Sequence, residues 1–325
     1  MRYVVERNSL ICGLFTVLLF TAYFCGMFFG ESFWLTLTLV IGIAGLVIGA
    51  ILTRNTRVFG LPSWQTNPFH FSLVMTVFYF IAQYISFFFH EWSHSTAAFL
   101  TGKTHVEPLD IDYGHGWTFS GCHAINQSIY PEWIEHGQNT TAAIIAIAGP
   151  MMNVFLAVIA LILLTRERVR SSLLLFSLLF WFALHNLGQL WSYIPQRSVW
   201  HEGGDIYFFE WATGLSPWAV TVAGTILIIA GFILVFVYLL PALTASLRPA
   251  LLGLAGLFVL GWFAVFIRYG LGPLVEMVDA WVLTNPQAWF APFDLAVGII
   301  IAWLSIREIK RKYDKNPWLK LREDT

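Results

Sequence analysis

Charged residues are scarce in this chain. Only 11% of its 325 residues are Asp, Glu, Lys or Arg, whereas 58% are hydrophobic and 17% are aromatic. One soluble core cannot use so much apolar material, so the composition excludes an ordinary soluble domain and predicts an integral membrane protein. The net charge of -1 offers no basic excess of the kind that binds nucleic acid, and we predict no nucleic-acid partner.

Cysteine is also scarce, and the chain has only 3 copies. Cys12 and Cys25 lie in apolar runs, and Cys122 has no second cysteine close to it in the sequence. This excludes a disulfide framework and a CxxC metal site. Internal repeats and linkers rich in Pro, Gly or Ser are absent as well, so we predict one membrane domain.

Long apolar runs are abundant, and they define the predicted architecture. A helix needs about 20 apolar residues to cross the hydrocarbon core. The runs predict an all-α polytopic membrane protein with about eight transmembrane helices. The segment 101–123, rich in β-formers and Gly, predicts a short β-hairpin at the membrane surface. The predicted spans lie near residues 9–29, 33–53, 69–100, 141–164, 172–194, 217–244, 250–269 and 290–306.

Basic residues are unevenly shared between alternate loops. Most of the 18 Lys and Arg residues fall on one side, together with the C-terminal tail, and the other side carries only Lys103, Arg197 and Arg268. By the positive-inside rule, both termini of this multi-pass protein are predicted to be cytoplasmic. The third span then runs outward, and His90 is predicted to lie in the outer half of the bilayer.

That third span contains ionisable residues where lipid would be expected. In "FFFHEWSH", His90 and His94 are one helical turn apart on one face, and Glu91 lies beside them. This is the HExxH pattern, in which two histidines hold zinc and the glutamate is the general base toward the water that zinc activates. Ionisable groups within a span are costly unless they are paired or bind a metal. We therefore predict a Zn²⁺ site with Glu91 as the catalytic residue; a polar patch satisfied by neighbouring helices is the alternative.

A catalytic zinc ion normally takes a third protein ligand. In "SVWHEGGDIYFFEW" the acidic candidates are Asp205 and Glu202, and the adjacent Gly203 and Gly204 allow close backbone approach. We predict that Asp205 is the third ligand, with Glu202 and then His201 as alternatives. The acidic residues of the hairpin segment are less suitable because that segment is predicted to be exposed: Glu107, Asp110 and Asp112.

Three segments together resemble the site-2 protease family of intramembrane zinc metalloproteases. "HEWSHSTAAFLTGKTHVEPLDIDYG" is similar to the family's HExxH helix with its following Gly and surface hairpin, and "AIAGPMMNVFLAV" is similar to its AGPxxN segment. "SYIPQRSVWHEGGD" is similar to the segment whose Asp completes the zinc site. It departs in two ways, because the interval after Pro195 is longer and Ser192 stands where the family has Asn.

The resemblance covers residues 69–216, which we take as a metalloprotease core between two N-terminal spans at 1–68 and C-terminal spans with a basic cytoplasmic tail at 217–325. It implies that a transmembrane protein substrate is cleaved in or next to its membrane segment within the lipid bilayer. It also implies a zinc ion nearer the cytosol than the basic residues predict. No oligomeric state is predicted. The candidate substrate or oxyanion contacts are Asn153, Asn186 and Ser192, with Gln189 as a further substitute for the family's Asn.

Some of these polar residues also have simpler explanations. Asn153 can satisfy backbone groups that Pro150 frees in its span. His185 and Asn186 can form an interhelical hydrogen bond. The loop histidines fit no ligand spacing, and we predict that they are solvated.

Proteins of other classes also combine membrane spans with metal ligands. A prenyl-protein endopeptidase of the HExxH type takes a glutamate as third ligand, for which Glu202 is the candidate. A di-iron desaturase or hydroxylase needs about eight clustered histidines, whereas those outside the motif are scattered here. A non-proteolytic metal-binding protein has no need of Glu91, and the repeated halves typical of transporters are not seen.

Overall fold

The computed structural model describes residues 68–103, 129–170, 172–198, 204–239 and 290–314. Every regular element in these ranges is a helix, as the predicted all-α class requires. The helices are α1 (Pro68–Leu100), α2 (Ile129–Glu135), α3 (Asn139–Leu164), α4 (Glu167–Arg170), α5 (Leu173–Arg197), α6 (Asp205–Thr213), α7 (Pro217–Ile233), which continues as a π-helix at Leu234–Leu239, and α8 (Phe290–Asp314).

Three of the described helical segments are long and apolar enough to cross a membrane: Asn139–Leu164, Leu174–Pro195 and Pro217–Leu239. They coincide with three of the predicted spans, and α1 and α8 lie at two more. The predicted spans at 9–29, 33–53 and 250–269 lie outside the described residues. The predicted hairpin also lies outside them from residue 104 onward.

Helices α1, α3 and α5 pack against one another and enclose most of the core. Aromatic rings fill their interfaces, and the Tyr79 ring of α1 meets the Trp181 ring of α5 edge-on with 5.0 Å between centroids. Phe176 and Phe180 stack one turn apart on α5. Helix α5 lies between its neighbours and is therefore buried around most of its circumference.

Helices α2 and α6 pack against α3 and against each other. Tyr130 of α2 stacks on Phe208 of α6 with 4.7 Å between ring centroids. Both rings belong to a cluster with Ala142 and Ile145 of α3. This packing holds α6 against α3, and Asp205 in the first turn of α6 lies beside His90 and His94 of α1.

Local signals explain where the helices near the site begin. The Ser172 side chain accepts a hydrogen bond from the Leu175 amide at 3.4 Å and caps α5. Pro217 occupies the first turn of α7, where its missing N–H is not needed. Gly204 precedes α6 with φ 95° and ψ 169°, a conformation that is essentially restricted to glycine.

The outer faces of the long helices are apolar. On α3, Met151, Phe155 and Ile162 are exposed, and on α7 Ile226 and Leu227 are exposed. Large apolar side chains in such number on an outer surface are typical of contact with a membrane or another protein.

Candidate metal centre

Two side chains of α1 and one of α6 converge in the interior of the protein. The Nε2 atoms of His90 and His94 are 3.2 Å apart. Oδ2 of Asp205 lies 3.1 Å from Nε2 of His90 and 3.3 Å from Nε2 of His94. All three residues are buried. The structure therefore brings together the two motif histidines and the aspartate predicted to join them.

The distances fit a tetrahedral metal ion. Bonds of about 2.0 to 2.1 Å at tetrahedral angles separate the ligand atoms by about 3.3 Å, which is close to the three observed separations. Two imidazoles and one carboxylate are ligands that zinc accepts, and such a set leaves one position open for water. The buried group can therefore hold a metal ion.

His94 is oriented by the backbone of α3. Its Nδ1 atom lies 2.7 Å from the carbonyl oxygen of Ile145. A carbonyl only accepts, so Nδ1 carries the hydrogen and donates it. Nε2 then keeps its lone pair in the neutral imidazole, as a metal ligand must.

Asp205 is held as an anion. Burial alone would raise its pKa, but the charges that His94 and His90 carry when they are protonated, together with their hydrogen bonds, hold the pKa of this carboxyl well below its usual range. Its position in the first turn of α6 also favours negative charge, because unpaired amides concentrate positive potential there. An ionised carboxylate is the form that coordinates a metal.

Gly149 of α3 packs directly against the two histidines. A Cβ atom at this position would lie 2.3 Å from Nε2 of His94 and 2.7 Å from Nε2 of His90. Such distances are far below van der Waals contact, so the ligand nitrogens can occupy their positions only because residue 149 has no side chain. In the sequence Gly149 stands out only as part of the AGPxxN segment, and its contact with the histidines was not predicted.

Glu91 is buried next to the ligands on α1. Its charge acts on His94 and on Tyr130. The Glu91 carboxylate is therefore close enough to His94 for their charges to interact.

Tyr130 is a site residue that sequence reasoning missed. It is buried on α2, and its phenol feels the charges of both Asp205 and Glu91. Burial raises the pKa of Tyr130 well above its usual value, and these two carboxylates add to the rise. The hydroxyl is therefore protonated at neutral pH. No local motif surrounds Tyr130 in the sequence, so its proximity to the site is evident only from the fold.

His90 is contacted on its far side by α3 and α5. Nδ2 of Asn153 lies 3.0 Å from Nδ1 of His90, and it donates to Oε1 of Gln189 at 2.8 Å. Nε2 of Gln189 donates to Oγ of Ser86 at 3.0 Å. The Tyr193 ring stacks on the His90 ring with 5.6 Å between centroids and 7° between planes.

The other candidate residues do not join the triad. Asn186 donates to the Phe182 carbonyl at 2.7 Å, and Ser192 donates to the Gln189 carbonyl at 2.8 Å. Both bonds stay within α5. The remaining candidates fall outside the described residues: Glu107, Asp110, Asp112, His201 and Glu202.

No protein-family model matches this chain, and no curated protein or solved structure matches it either. The fold and the site define a helical protein with long apolar helices and a buried His-His-Asp group that can hold a metal ion.

Proposed function

We propose that this protein is an integral membrane zinc metalloprotease of the site-2 protease type, which hydrolyses peptide bonds in or next to the transmembrane segments of its substrates. One observation carries the proposal. His90 and His94 of α1 and Asp205 of α6 converge with ligand-atom separations of 3.1 to 3.3 Å, and α1 also carries Glu91 at the general-base position of HExxH.

Each residue of the centre has a chemical task in this proposal. When bound, zinc supplies the Lewis-acid chemistry that makes water a nucleophile near neutral pH. His90, His94 and Asp205 hold the ion in place. Glu91 accepts the proton of the attacking water and passes it to the departing amine. The protonated Tyr130 hydroxyl is available to donate a hydrogen bond to the carbonyl oxygen as its negative charge grows.

The surroundings of the site favour a substrate from the membrane. The long helices that support the centre present apolar outer faces, and the triad itself is buried. A helical substrate hides its carbonyl groups in hydrogen bonds, so it must unwind locally before water can attack. In the proposal the segment 101–123 holds the unwound piece as an added strand.

The aspartate ligand favours this function over a prenyl-protein endopeptidase. Enzymes of that second type are expected to complete their zinc site with a glutamate, whereas among the residues that the structure describes the carboxylate in contact with both His90 and His94 belongs to Asp205.

The exchange Glu91→Gln tests the catalytic assignment. Purified wild-type protein in liposomes is incubated with a panel of fluorescently labelled single-span peptides, and new peptide termini are identified by mass spectrometry. The exchange keeps the ligands, so we expect zinc content to be unchanged. Cleavage is expected to fall by about 100-fold or more, because general-base catalysis contributes about 10² to 10⁴.

Glu132→Gln is the matched control, because Glu132 is an exposed glutamate on α2. This control is expected to cleave at the wild-type rate. Wild-type cleavage by Glu91→Gln would overturn the role of Glu91. Zinc-loaded wild-type protein that cleaves no peptide of the panel would contradict the protease assignment.

A further inference from the structure

A line of buried hydrogen bonds leads from His90 away from the triad and passes through all three core helices. It starts at Nδ1 of His90 on α1, runs through the amides of Asn153 on α3 and Gln189 on α5, and ends at the Ser86 hydroxyl on α1. All four residues are buried. Buried polar side chains linked in this way fix one another's orientation.

Metal binding restricts what the partner of His90 can be. Nε2 of His90 faces His94 and Asp205, so this nitrogen must bind the ion through its lone pair. A neutral imidazole has only one N–H group, and here that hydrogen must be on Nδ1. The atom that faces Nδ1 must then accept a hydrogen bond.

The amide side chains can meet this requirement by rotation. The oxygen and nitrogen of an amide exchange places on rotation by about 180° with little change in shape. When Nδ2 of Asn153 faces His90, the imidazole hydrogen is on Nε2 and metal binding is blocked. When the oxygen faces His90, Nδ1 donates to it and Nε2 is free to bind.

Gln189 must rotate together with Asn153. In the metal-compatible arrangement, Nδ1 of His90 and Nε2 of Gln189 both donate to Oδ1 of Asn153. The Ser86 hydroxyl then donates to Oε1 of Gln189. The heavy atoms keep their separations of 3.0, 2.8 and 3.0 Å. Each arrangement leaves one atom of the Asn153 amide without a partner in the described part of the chain.

We propose that Asn153 and Gln189 are positioning residues that hold His90 in the tautomer able to bind zinc, and that Asn153 acts on the ligand rather than on the substrate. The inference rests on the zinc centre of the proposed function. The Asn153 oxygen does for His90 what the Ile145 carbonyl does for His94. Gln189 keeps that oxygen in place, and Ser86 in turn orients Gln189.

The test is the zinc affinity of the purified full chain, measured by competition with a chromophoric chelator. Asn153→Leu has a similar volume but no acceptor, and it is expected to weaken zinc binding by about 10- to 100-fold. Asn153→Asp keeps an oxygen at the same position, so it is expected to bind zinc at the wild-type level or more tightly. If Asn153 had only a structural role, the buried carboxylate of Asn153→Asp would not restore zinc binding.

Gln189 gives a second, independent measurement. Gln189→Leu is expected to weaken zinc binding, but less than Asn153→Leu, because Gln189 acts through Asn153. The double variant is expected to bind as Asn153→Leu does alone, since residues in one network are not additive. If Asn153→Leu does not fold, Gln189→Leu and Asn153→Asp still decide the question.

Asn186→Leu is the matched control, because it removes another buried amide from α5, whose one hydrogen bond within the described residues goes to the Phe182 carbonyl. This control is expected to keep the wild-type zinc affinity. Wild-type affinity in folded Asn153→Leu or Gln189→Leu, or affinity in Asn153→Asp as weak as in Asn153→Leu, would overturn the inference. Wild-type protein that binds no zinc would overturn it together with the zinc centre, whereas tight zinc binding without cleavage counts against the protease assignment alone.

Discussion

Gly149 leaves room for the two histidines of the candidate metal centre because it has no side chain. Its hydrogen faces the two ligand nitrogens at a distance where any carbon atom would overlap them. Ile145, one helical turn earlier on α3, supplies the carbonyl that orients His94. The same stretch of α3 therefore holds one imidazole and makes room for both.

We predict that Gly149→Ala displaces the histidines and weakens zinc binding by more than the about 10- to 100-fold typical of a lost supporting contact. The helix itself tolerates the change, because Ala is the better helix former by about 1 kcal/mol. The measurement is the zinc-to-protein ratio after dialysis against a chelator of known affinity.

Gly224→Ala is the matched control for Gly149→Ala. It also adds a carbon atom within a long helix, and this carbon would lie 2.6 Å from Cγ2 of Ile194. The Ile194 side chain is flexible and can move away from it. This variant is expected to keep its zinc. Wild-type zinc retention by Gly149→Ala would show that residue 149 does not pack against the ligands.

The ligand residues could be predicted from the sequence to different degrees. His90 and His94 follow from helical spacing alone, because the motif lies within one turn. Asp205 was one of several candidates, since it lies 115 residues from His90 and only the fold brings the two together. Gln189 and Ser86 are 103 residues apart and carry no local motif, so their hydrogen bond could not be predicted.

The ends of three helices meet at Glu210 on α6. The Ser198 hydroxyl, just after α5, bonds to Oε1 of Glu210 and to the Pro217 carbonyl of α7. One hydroxyl hydrogen cannot serve both acceptors, so the arrangement is complete when the carboxyl of Glu210 is protonated. Burial raises the pKa of Glu210 to about 7, although the hydrogen bond from Ser198 opposes the rise.

This raised pKa predicts a pH-dependent stability. The carboxyl of Glu210 ionises near 4.5 in the unfolded chain but only near 7 in the folded one. The stability that the neutral Glu210 carboxyl contributes to the fold is therefore fully present below about pH 4.5 and is lost as the pH rises to about 7. We expect the unfolding temperature of the wild type to fall across this window relative to that of Glu210→Gln, which keeps a neutral side chain.

Thermal unfolding at a series of pH values between 4 and 8 measures this difference, with Glu132→Gln as the control for an exposed glutamate. If the unfolding temperatures of the wild type and of Glu210→Gln change with pH by the same amount across the series, Glu210 is not buried as a neutral group.

The long helices were easier to predict than the short ones. Apolar runs located α3, α5 and α7 closely, and the structure shows Ser172 as the cap at the start of α5. Helix α6 was not predicted, because 9 residues next to a Gly pair carry too little periodic signal. Its position depends on packing against α3, and the site depends on that position because α6 begins with Asp205.

In the whole molecule, the centre lies where helices from separate parts of the sequence meet. Helix α1 supplies two candidate ligands and the proposed base, α3 and α5 supply supporting contacts, and α6 supplies the third candidate ligand. Hydropathy predicts that such helices exist, but it cannot say which of them are neighbours. That information arises from the fit of side chains between helices.

The zinc content of the purified protein tests the central claim most directly. We predict about one zinc ion per chain in the wild type, as a three-ligand site holds. Glu210→Gln, which changes a buried carboxyl of α6 outside the triad, is expected to keep that ion. Asp205→Asn and the double exchange of His90 and His94 to Ala are expected to lose it. A wild type without zinc, or zinc retained at the wild-type level after either exchange in the triad, would contradict the account.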